Sequence, residues 1–330
     1  MLILAKSILG LTLGFVISIV IGLLIIPVLK QLKAGQSVSR LINKRHLKKE
    51  GTPTIGGLIF IIPPLIAIGL LALKGSIELT PNLIIVMFVF VAYAILGFID
   101  DFLKIKFHNN KGLSTITKFV AQLLIAVVFY TIYKHNGGTT DLEVTLLGIK
   151  WPLGWAYGLF ILFLLVGTTN AVNITDGLDG LCGGLSVMAF LAYGVISWGS
   201  DWIAGYDGMA IFSFVLVGSL LGFLLFNTHP ARVFMGDTGS LALGGALATI
   251  AILTHHEVSL ALIGGVFVVE TLSSLIQIIA IRKFNKKVFL KAPLHHHFEE
   301  IGWQEQDIVK VFWVAGFLLA MFGVIYGVWL

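Results

Sequence analysis

The chain has 330 residues, of which 57% are hydrophobic and 12% charged, and its formal net charge is +5. Soluble domains average about 45–50% apolar and about 25% charged residues, so this composition excludes an ordinary soluble domain and indicates an integral membrane protein. The single cysteine, Cys182, excludes an internal disulfide framework. The excess of positive charge suits a protein that faces anionic lipid headgroups or anionic substrates.

Ten apolar segments are predicted to span the membrane. The first is too long for the apolar core of a signal peptide. Two adjacent prolines, Pro63 and Pro64, predict a kink in the second. The eighth is shorter than the roughly 20 residues that a span needs, so we expect it to borrow flanking residues or to be tilted and partly buried. The predicted segments are Ser7–Val28, Ile55–Leu73, Leu83–Ile99, Phe119–Tyr133, Leu153–Val166, Leu181–Trp198, Met209–Phe226, Leu241–Leu253, Val258–Ile281 and Ile308–Leu330.

The basic residues predict the orientation of these segments. Of the 22 lysines and arginines, 18 lie in or beside the loops that follow odd-numbered spans. Basic loops face the cytoplasm, so these loops are expected inside the cell and both termini outside. No internal repeat and no soluble domain are visible. We therefore predict an all-α polytopic membrane protein with one domain, residues 1–330, and its active site at the cytoplasmic face.

Five polar motifs all follow odd-numbered spans and therefore lie on one side of the membrane. A set of unrelated loops would not be expected to sort in this way, so the pattern predicts a single polar site. The motifs are GTPTIGG (51–57), IDDFLK (99–104), NAVNITDGLDG (170–180), FNTHPARVFMGDTGS (226–240) and APLHHHFE (292–299).

The NAVNITDGLDG motif lies between two long apolar runs. Asn170, Asn173, Asp176 and Asp179 recur every third residue, which keeps their oxygens near one face if the segment is helical. A charge at the bilayer centre costs roughly 2.5–3.5 kcal/mol, so these acids indicate a site at the membrane surface. The alternative is a polar loop with glycine turns.

Three aspartates in two other motifs are candidates for metal and phosphate chemistry. The adjacent Asp100 and Asp101 repel each other unless a cation offsets them, and Lys104 is placed to do so. Asp237 lies in a Gly-Asp-Thr-Gly turn. Magnesium takes one or two protein carboxylates and completes its shell with water and phosphate oxygens. The alternatives are a solvated helix end with a local ion pair, and an Asx-turn that caps the eighth span.

Histidines and one intramembrane acid supply further candidates. Three consecutive residues, His295–His297, do not easily converge on one tetrahedral zinc ion, so donors to a pyrophosphate are the better interpretation. Glu270, deep in the ninth span, is either functional or part of a buried hydrogen bond between helices. Lys48 and Lys49 precede the glycine-rich motif, which lacks the spacing of a nucleoside triphosphate loop.

In this order and spacing, the five motifs resemble the polyprenyl-phosphate N-acetylhexosamine-1-phosphate transferase superfamily. The triple histidine after Pro293 resembles its phospho-N-acetylmuramoyl-pentapeptide transferase branch. Ile55 stands where that branch more often has methionine. The resemblance extends from the first loop to the last span.

The resemblance implies a magnesium-dependent enzyme of the bacterial cytoplasmic membrane. Undecaprenyl phosphate would attack UDP-N-acetylmuramoyl-pentapeptide, giving lipid I and UMP. Surrounding membrane lipids and a second copy of the chain are further expected partners, and nucleic acid is not. The implied catalytic residues are Asp100, Asp101, Asp176, Asp237, His295, His296 and His297, with Asp237 and Asp176 as metal ligands. The implied substrate contacts are Lys49, Thr54, Lys104, Asn170, Asn173, Gly177, Leu178, Asp179, Asn227, Phe234 and Gln277.

Other functions remain open from the residues alone. A related transferase would act on UDP-N-acetylglucosamine. A secondary transporter would place its coupling acids near the midplane of the membrane, where only Glu270 is expected. If the protein is a transferase, we expect direct displacement rather than a covalent enzyme intermediate. We also expect the ninth span, at Val266–Ile281, to form a wall of the groove that holds the lipid tail.

Overall fold

The structure is a computed structural model that describes residues 3–32, 51–107, 112–144, 148–200, 203 and 205–329. Helices dominate this part of the chain. They are α1 (Ile3–Gln31), α2 (Leu58–Leu73), α3 (Pro81–Lys106), α4 (Thr115–His135), α5 (Ala156–Thr175), α6 (Leu181–Gly199), α7 (Tyr206–Asn227), α8 (Gly236–Leu253), α9 (Glu257–Ile263), α10 (Gly265–Phe284), α11 (Leu294–Glu300) and α12 (Glu305–Val324), the last continued by a π-helical turn, Ile325–Trp329.

Nine helices of the described residues are long and apolar enough to cross a membrane. The predicted helical, polytopic membrane protein is therefore confirmed. The second predicted span, Ile55–Leu73, corresponds to α2, which is apolar but has only 16 residues. Its helix continues through Pro63 and Pro64.

The all-α class is confirmed, and the described residues add one small element to it. Strands β1 (Asp141–Val144) and β2 (Ile149–Pro152) form a small antiparallel hairpin. Each strand has only four residues, so their sequences give too short a pattern to separate them from a loop.

Several helices begin or end beyond their predicted apolar runs. Helix α3 continues to Lys106 and α5 to Thr175, so the IDDFLK motif and the first half of NAVNITDGLDG are helical. Helix α8 begins at Gly236, which resolves the short eighth segment, and most of it is buried inside the protein.

The predicted ninth span is broken. Helix α9 ends at Ile263 and α10 starts at Gly265, with Gly264 between them. The apolar run alone did not place this break, because glycine inside an apolar run is a weak signal for the end of a helix.

Small residues bring α1 and α7 into close contact. A Cβ on Gly14 would lie 2.2 Å from the Val215 carbonyl oxygen, and one on Gly218 would lie 1.9 Å from the Leu11 carbonyl oxygen. This spacing is typical of membrane helices that pack backbone against backbone.

A similar approach joins α3 to the start of α8 and positions the polar site. A Cβ on Gly97 would lie 2.1 Å from the Asp237 carbonyl oxygen. Asp100 and Asp101 follow one turn later on α3. The glycine therefore lets the acidic end of α3 reach the first turn of α8.

Candidate active site

Three aspartates from α3 and α8 converge. Asp100, Asp101 and Asp237 each offer a carboxylate oxygen within 4.8 Å of the others. Asp100 and Asp101 are each only 2% exposed. The alternative of a solvated helix end is therefore excluded, because these acids are buried against a second helix.

Asp101 is held by the N-terminus of α8. Its Oδ1 accepts from the Asp237 main-chain N–H at 3.2 Å, and its Oδ2 accepts from the N–H and hydroxyl of Thr238 at 2.9 and 2.7 Å. These amides lack partners within their own helix, and a carboxylate there also interacts favourably with the helix dipole. Asp101 thus ties α3 to α8.

Asp237 is contacted by side chains from three other helices. Its Oδ2 accepts from the ammonium groups of Lys104 at 2.9 Å and Lys118 at 2.7 Å. Its Oδ1 accepts from the Asn173 amide at 2.7 Å, and the same amide also donates to Ser240. Four helices, α3, α4, α5 and α8, therefore meet at one carboxylate.

Asp100 lies on the other side of Lys104. Its Oδ2 is 2.5 Å from the Lys104 ammonium nitrogen, and its Oδ1 accepts from the Leu113 main-chain N–H at 2.8 Å. Gly112 has a φ of +52°, and a Cβ there would lie 2.6 Å from Asp100 Oδ1. The segment before α4 therefore wraps this carboxylate closely.

Asp176 follows the last residue of α5 and lies beside the cluster. It accepts a hydrogen bond from the Gly236 main-chain N–H. Burial, and then the charges of Asp237, Asp101 and Asp179, raise the pKa of Asp176 to about 8. A bound cation would oppose this rise, because opposite charge favours the carboxylate.

The turn after Asp176 is tied to α7 and α12. The main-chain N–H of Asp179 donates to Glu305 Oε1 at 2.7 Å, and its carboxylate accepts from the Ala231 N–H at 3.0 Å. The Gly180 N–H donates to Asn227 at 3.1 Å, and its carbonyl accepts from the Trp313 indole at 3.2 Å. These four hydrogen bonds hold the turn at Asp179 and Gly180 in place, and they form a second polar region beside the three aspartates.

The three histidines do not share one ligand position. His295 is buried beside Gly177 and bonded to Glu270. His296 lies 2.6 Å from Glu299 through Nδ1, and burial lowers its pKa. His297 accepts from the Leu290 N–H. The three imidazoles thus have three different sets of contacts.

The remaining predicted contacts differ in how much of each side chain is available to a ligand. The Gln277 amide nitrogen donates to the Phe289 carbonyl oxygen, and its amide oxygen accepts from the main-chain N–H groups of Val288 and Phe289. Gln277 therefore stabilises that loop. Asn170 donates to Gln122 at 2.9 Å. Thr54 is buried close to Gly236, and its hydroxyl has no partner among the described residues.

Of three further predicted substrate contacts, Phe234 makes main-chain hydrogen bonds, Leu178 is apolar, and Lys49 is outside the described residues. The main chain of Phe234 bonds to Pro53 and Gly56, joining the GTPTIGG motif to the FMGDTGS segment. Leu178 is buried. Lys49 lies outside the described residues.

Sequence reasoning missed Lys118, Gln122, Glu305 and His229, whose Nδ1 lies 3.2 Å from Asp179 Oδ2 and 3.5 Å from Glu305 Oε2. Lys118 looks like any other basic residue that flanks a membrane span. Glu305 begins the last helix, where an acid is common for its interaction with the helix dipole. Neither position carried a signal that would have separated it from these ordinary roles.

A cavity of about 740 Å³ opens beside the acidic cluster. Its polar end carries Asp100, Lys104, Lys118 and Asp237. Its apolar walls come from α4 and α5, including Leu123, Leu162, Phe163 and Val166. The cavity could therefore bind a ligand that has a charged group at one end and an apolar chain at the other.

Fold and site together define a polytopic helical membrane protein with a buried, lysine-bordered carboxylate site. The glycosyl transferase family 4 model matches residues 83–255, a range that contains all three converging aspartates. Curated relatives extend the similarity to almost the whole chain. Phospho-N-acetylmuramoyl-pentapeptide-transferases are 47% identical over 317 residues in Bacillus subtilis (strain 168), 45% over 323 in Geobacillus thermodenitrificans (strain NG80-2) and 48% over 317 in Anoxybacillus flavithermus (strain DSM 21510 / WK1).

These matches cover 96–98% of this chain and of each relative. The chain belongs to glycosyl transferase family 4, in its phospho-N-acetylmuramoyl-pentapeptide-transferase group. The transporter alternative is excluded by this relationship.

Proposed function

We propose that this protein transfers phospho-N-acetylmuramoyl-pentapeptide from UDP-N-acetylmuramoyl-pentapeptide to undecaprenyl phosphate, releasing UMP and forming lipid I. The relatives named above support the reaction. The observation that carries it is the convergence of Asp100, Asp101 and Asp237 with two lysines at the charged end of an apolar cavity. Such a site suits a substrate that is phosphate at one end and hydrocarbon at the other.

The carboxylate donors fit a magnesium ion. Magnesium prefers oxygen ligands and few protein carboxylates. Asp237, with Asp176 beside it, would hold the ion, and Asp100 faces the same space. When bound, the ion neutralises the negative charge of the transferred phosphate group.

The lysines and Asp100 act on the lipid phosphate. Lys104 and Lys118 supply two ammonium groups at the charged end of the cavity, where they bind and orient the phosphate. A phosphate monoester has its second pKa near 6, so most of the acceptor is already dianionic at neutral pH. Asp100 therefore orients the headgroup, or removes a last proton, rather than acting as a strong base.

We favour direct displacement, and this arrangement supports it. A lipid phosphate oxygen attacks the sugar-linked phosphorus, its new P–O bond forms, and the bond to the UMP phosphate breaks. Charge neutralisation and positioning suffice for such a transfer. A burst of UMP from enzyme and nucleotide without any lipid would contradict this mechanism.

The lipid tail is proposed to lie in the cavity between α4 and α5. Leu123, Leu162 and Phe163 form apolar walls, and Thr271 of α10 also lines it. The predicted contribution of the ninth span thus remains part of the proposal. Crosslinking of a photoreactive polyprenyl phosphate to this cavity supports it, and labelling confined to other helices contradicts it.

We also infer the membrane placement from charge. The basic loops predicted from the sequence would place the site at the cytoplasmic face, with both termini outside and the chain acting as one domain in the bacterial inner membrane. The nucleotide substrate is cytoplasmic, which supports this orientation.

The test is UMP release by purified protein with undecaprenyl phosphate and magnesium. We expect release with UDP-N-acetylmuramoyl-pentapeptide and none when the lipid or the metal is omitted. Release only with UDP-N-acetylglucosamine would assign the chain to the related branch and overturn the proposal.

A further inference from the structure

Glu270 is a fully buried acid inside α10 that the proposed reaction does not use. Its carboxylate is 0% exposed. Its Oε1 accepts from the His295 main-chain N–H at 3.1 Å, and its Oε2 lies 2.7 Å from His295 Nδ1. Both carboxylate oxygens therefore bind the same histidine residue. An acid placed at this depth is costly and indicates a role.

The two contacts hold the imidazole in one orientation. A carboxylate can only accept hydrogen bonds, so the ring proton must lie on Nδ1. The main-chain contact fixes the start of α11 relative to α10, so the ring cannot shift along the carboxylate. This is the arrangement by which a second group sets the tautomer of a functional histidine.

The opposite ring nitrogen points at the proposed site. The His295 side chain is 1% exposed, and its Nε2 has no hydrogen-bond partner among the described residues. A Cβ on Gly177 would lie only 2.3 Å from this atom. Nε2 thus lies against the turn that begins at Asp176, and a buried polar atom without a partner is costly unless a ligand supplies one.

We propose that Glu270 is a positioning residue that fixes the His295 ring so that Nε2 meets the nucleotide sugar beside the Asp176–Gly180 turn. This inference rests on the proposed function. It concerns how the nucleotide is held, so the lipid acceptor is affected little.

The Glu270→Gln variant tests this inference with minimal change of shape. The His295 N–H still requires an acceptor, so the glutamine oxygen takes that place and its NH₂ group faces Nδ1. Nδ1 must then accept, which moves the ring proton to Nε2. We expect kcat/KM for the nucleotide to fall by about tenfold to a hundredfold, the range for loss of such an outer partner, with KM for undecaprenyl phosphate unchanged.

A double-mutant cycle separates positioning from general damage. In a His295→Gln protein, Glu270 has no ring to orient, so adding Glu270→Gln should change kcat/KM by less than about twofold. If His295→Gln lowers turnover below detection, the same cycle is measured in the Kd for the nucleotide by calorimetry. Effects that multiply in the double variant would overturn the proposal, as would Glu270→Gln with parental kinetics.

Ser273→Ala is the matched control on α10. It removes a buried hydroxyl that donates to the Glu270 carbonyl oxygen and leaves the carboxylate in place. Turnover should stay within about twofold of the parent. A parent protein that releases no UMP would instead contradict the proposed function, so the two failures are distinguishable.

Discussion

The ammonium groups of Lys118 and Lys104 both donate to the same carboxylate oxygen, Oδ2 of Asp237. In the proposed function, these two ammonium groups would also bind the phosphate of the lipid acceptor. Lys118 comes from α4, whereas Lys104 comes from α3. The charged end of the cavity is therefore shared between two helices.

Lys118→Met should lower turnover by about tenfold to a thousandfold, because a preorganised positive charge at the proposed site of the acceptor phosphate is lost. The methionine keeps most of the apolar stem, so packing is largely preserved. UMP release measures the loss. Lys310→Met, which changes an exposed lysine on α12, is the control and should keep parental turnover. Equal activity of both variants would remove Lys118 from the site.

Glu257 is a second buried acid, in the short helix α9, and accepts a hydrogen bond from Tyr157. Burial raises the pKa of its carboxyl to about 7. The folded protein therefore keeps a proton that the unfolded chain loses, and stability falls as pH rises from about 4.5 to about 7.

Glu257→Gln removes this titration. Its Tm should decline less than that of the parent, by a few degrees, when pH rises from about 5 to about 8. Thermal unfolding in detergent at several pH values measures the difference. Glu78→Gln, at an exposed position, should follow the parent curve. Parallel curves for the Glu257 variant and the parent would refute the assignment.

The crossing of α3 over the first turn of α8 depends on a missing side chain. Gly97 allows α3 to approach the Asp237 carbonyl oxygen, and Asp101 then caps α8. Any atom added at Gly97 pushes the two helices apart. The acids of the site move with them.

Gly97→Ala should destabilise the protein by about 1–3 kcal/mol, the usual cost of overpacking, and should reduce UMP release more than the lost stability explains. Thermal unfolding and turnover are measured on the same samples. Gly69→Ala on α2 is the matched control, because nothing lies within 4 Å of the added Cβ. Equal stability and activity in the two variants would contradict this packing.

At the level of the whole molecule, part of the site could be predicted from the sequence. The motifs sort to one side of the predicted spans, and the structure brings Asp100, Asp101, Asn173 and Asp237 together across more than 130 positions of sequence. The side of the membrane on which each motif lies follows from the alternation of spans and loops. It can therefore be predicted without knowing which helices contact each other.

The finer contacts could not be predicted, because they depend on helix pairing. Asp101 as a cap for α8 requires the α3–α8 crossing. The Glu270–His295 pair depends on how α10 and α11 fold back on each other. Periodicity and hydropathy describe single segments and contain no such information.

The central claim is that the carboxylate of Asp237 is the meeting point of four helices and the chemical centre of the site. The most direct test is UMP release by Asp237→Asn, which keeps the shape of the side chain but not its charge, with thermal unfolding as a check on folding. We predict a folded protein whose turnover falls by at least about a hundredfold to a thousandfold. Parental turnover in this variant would contradict the account.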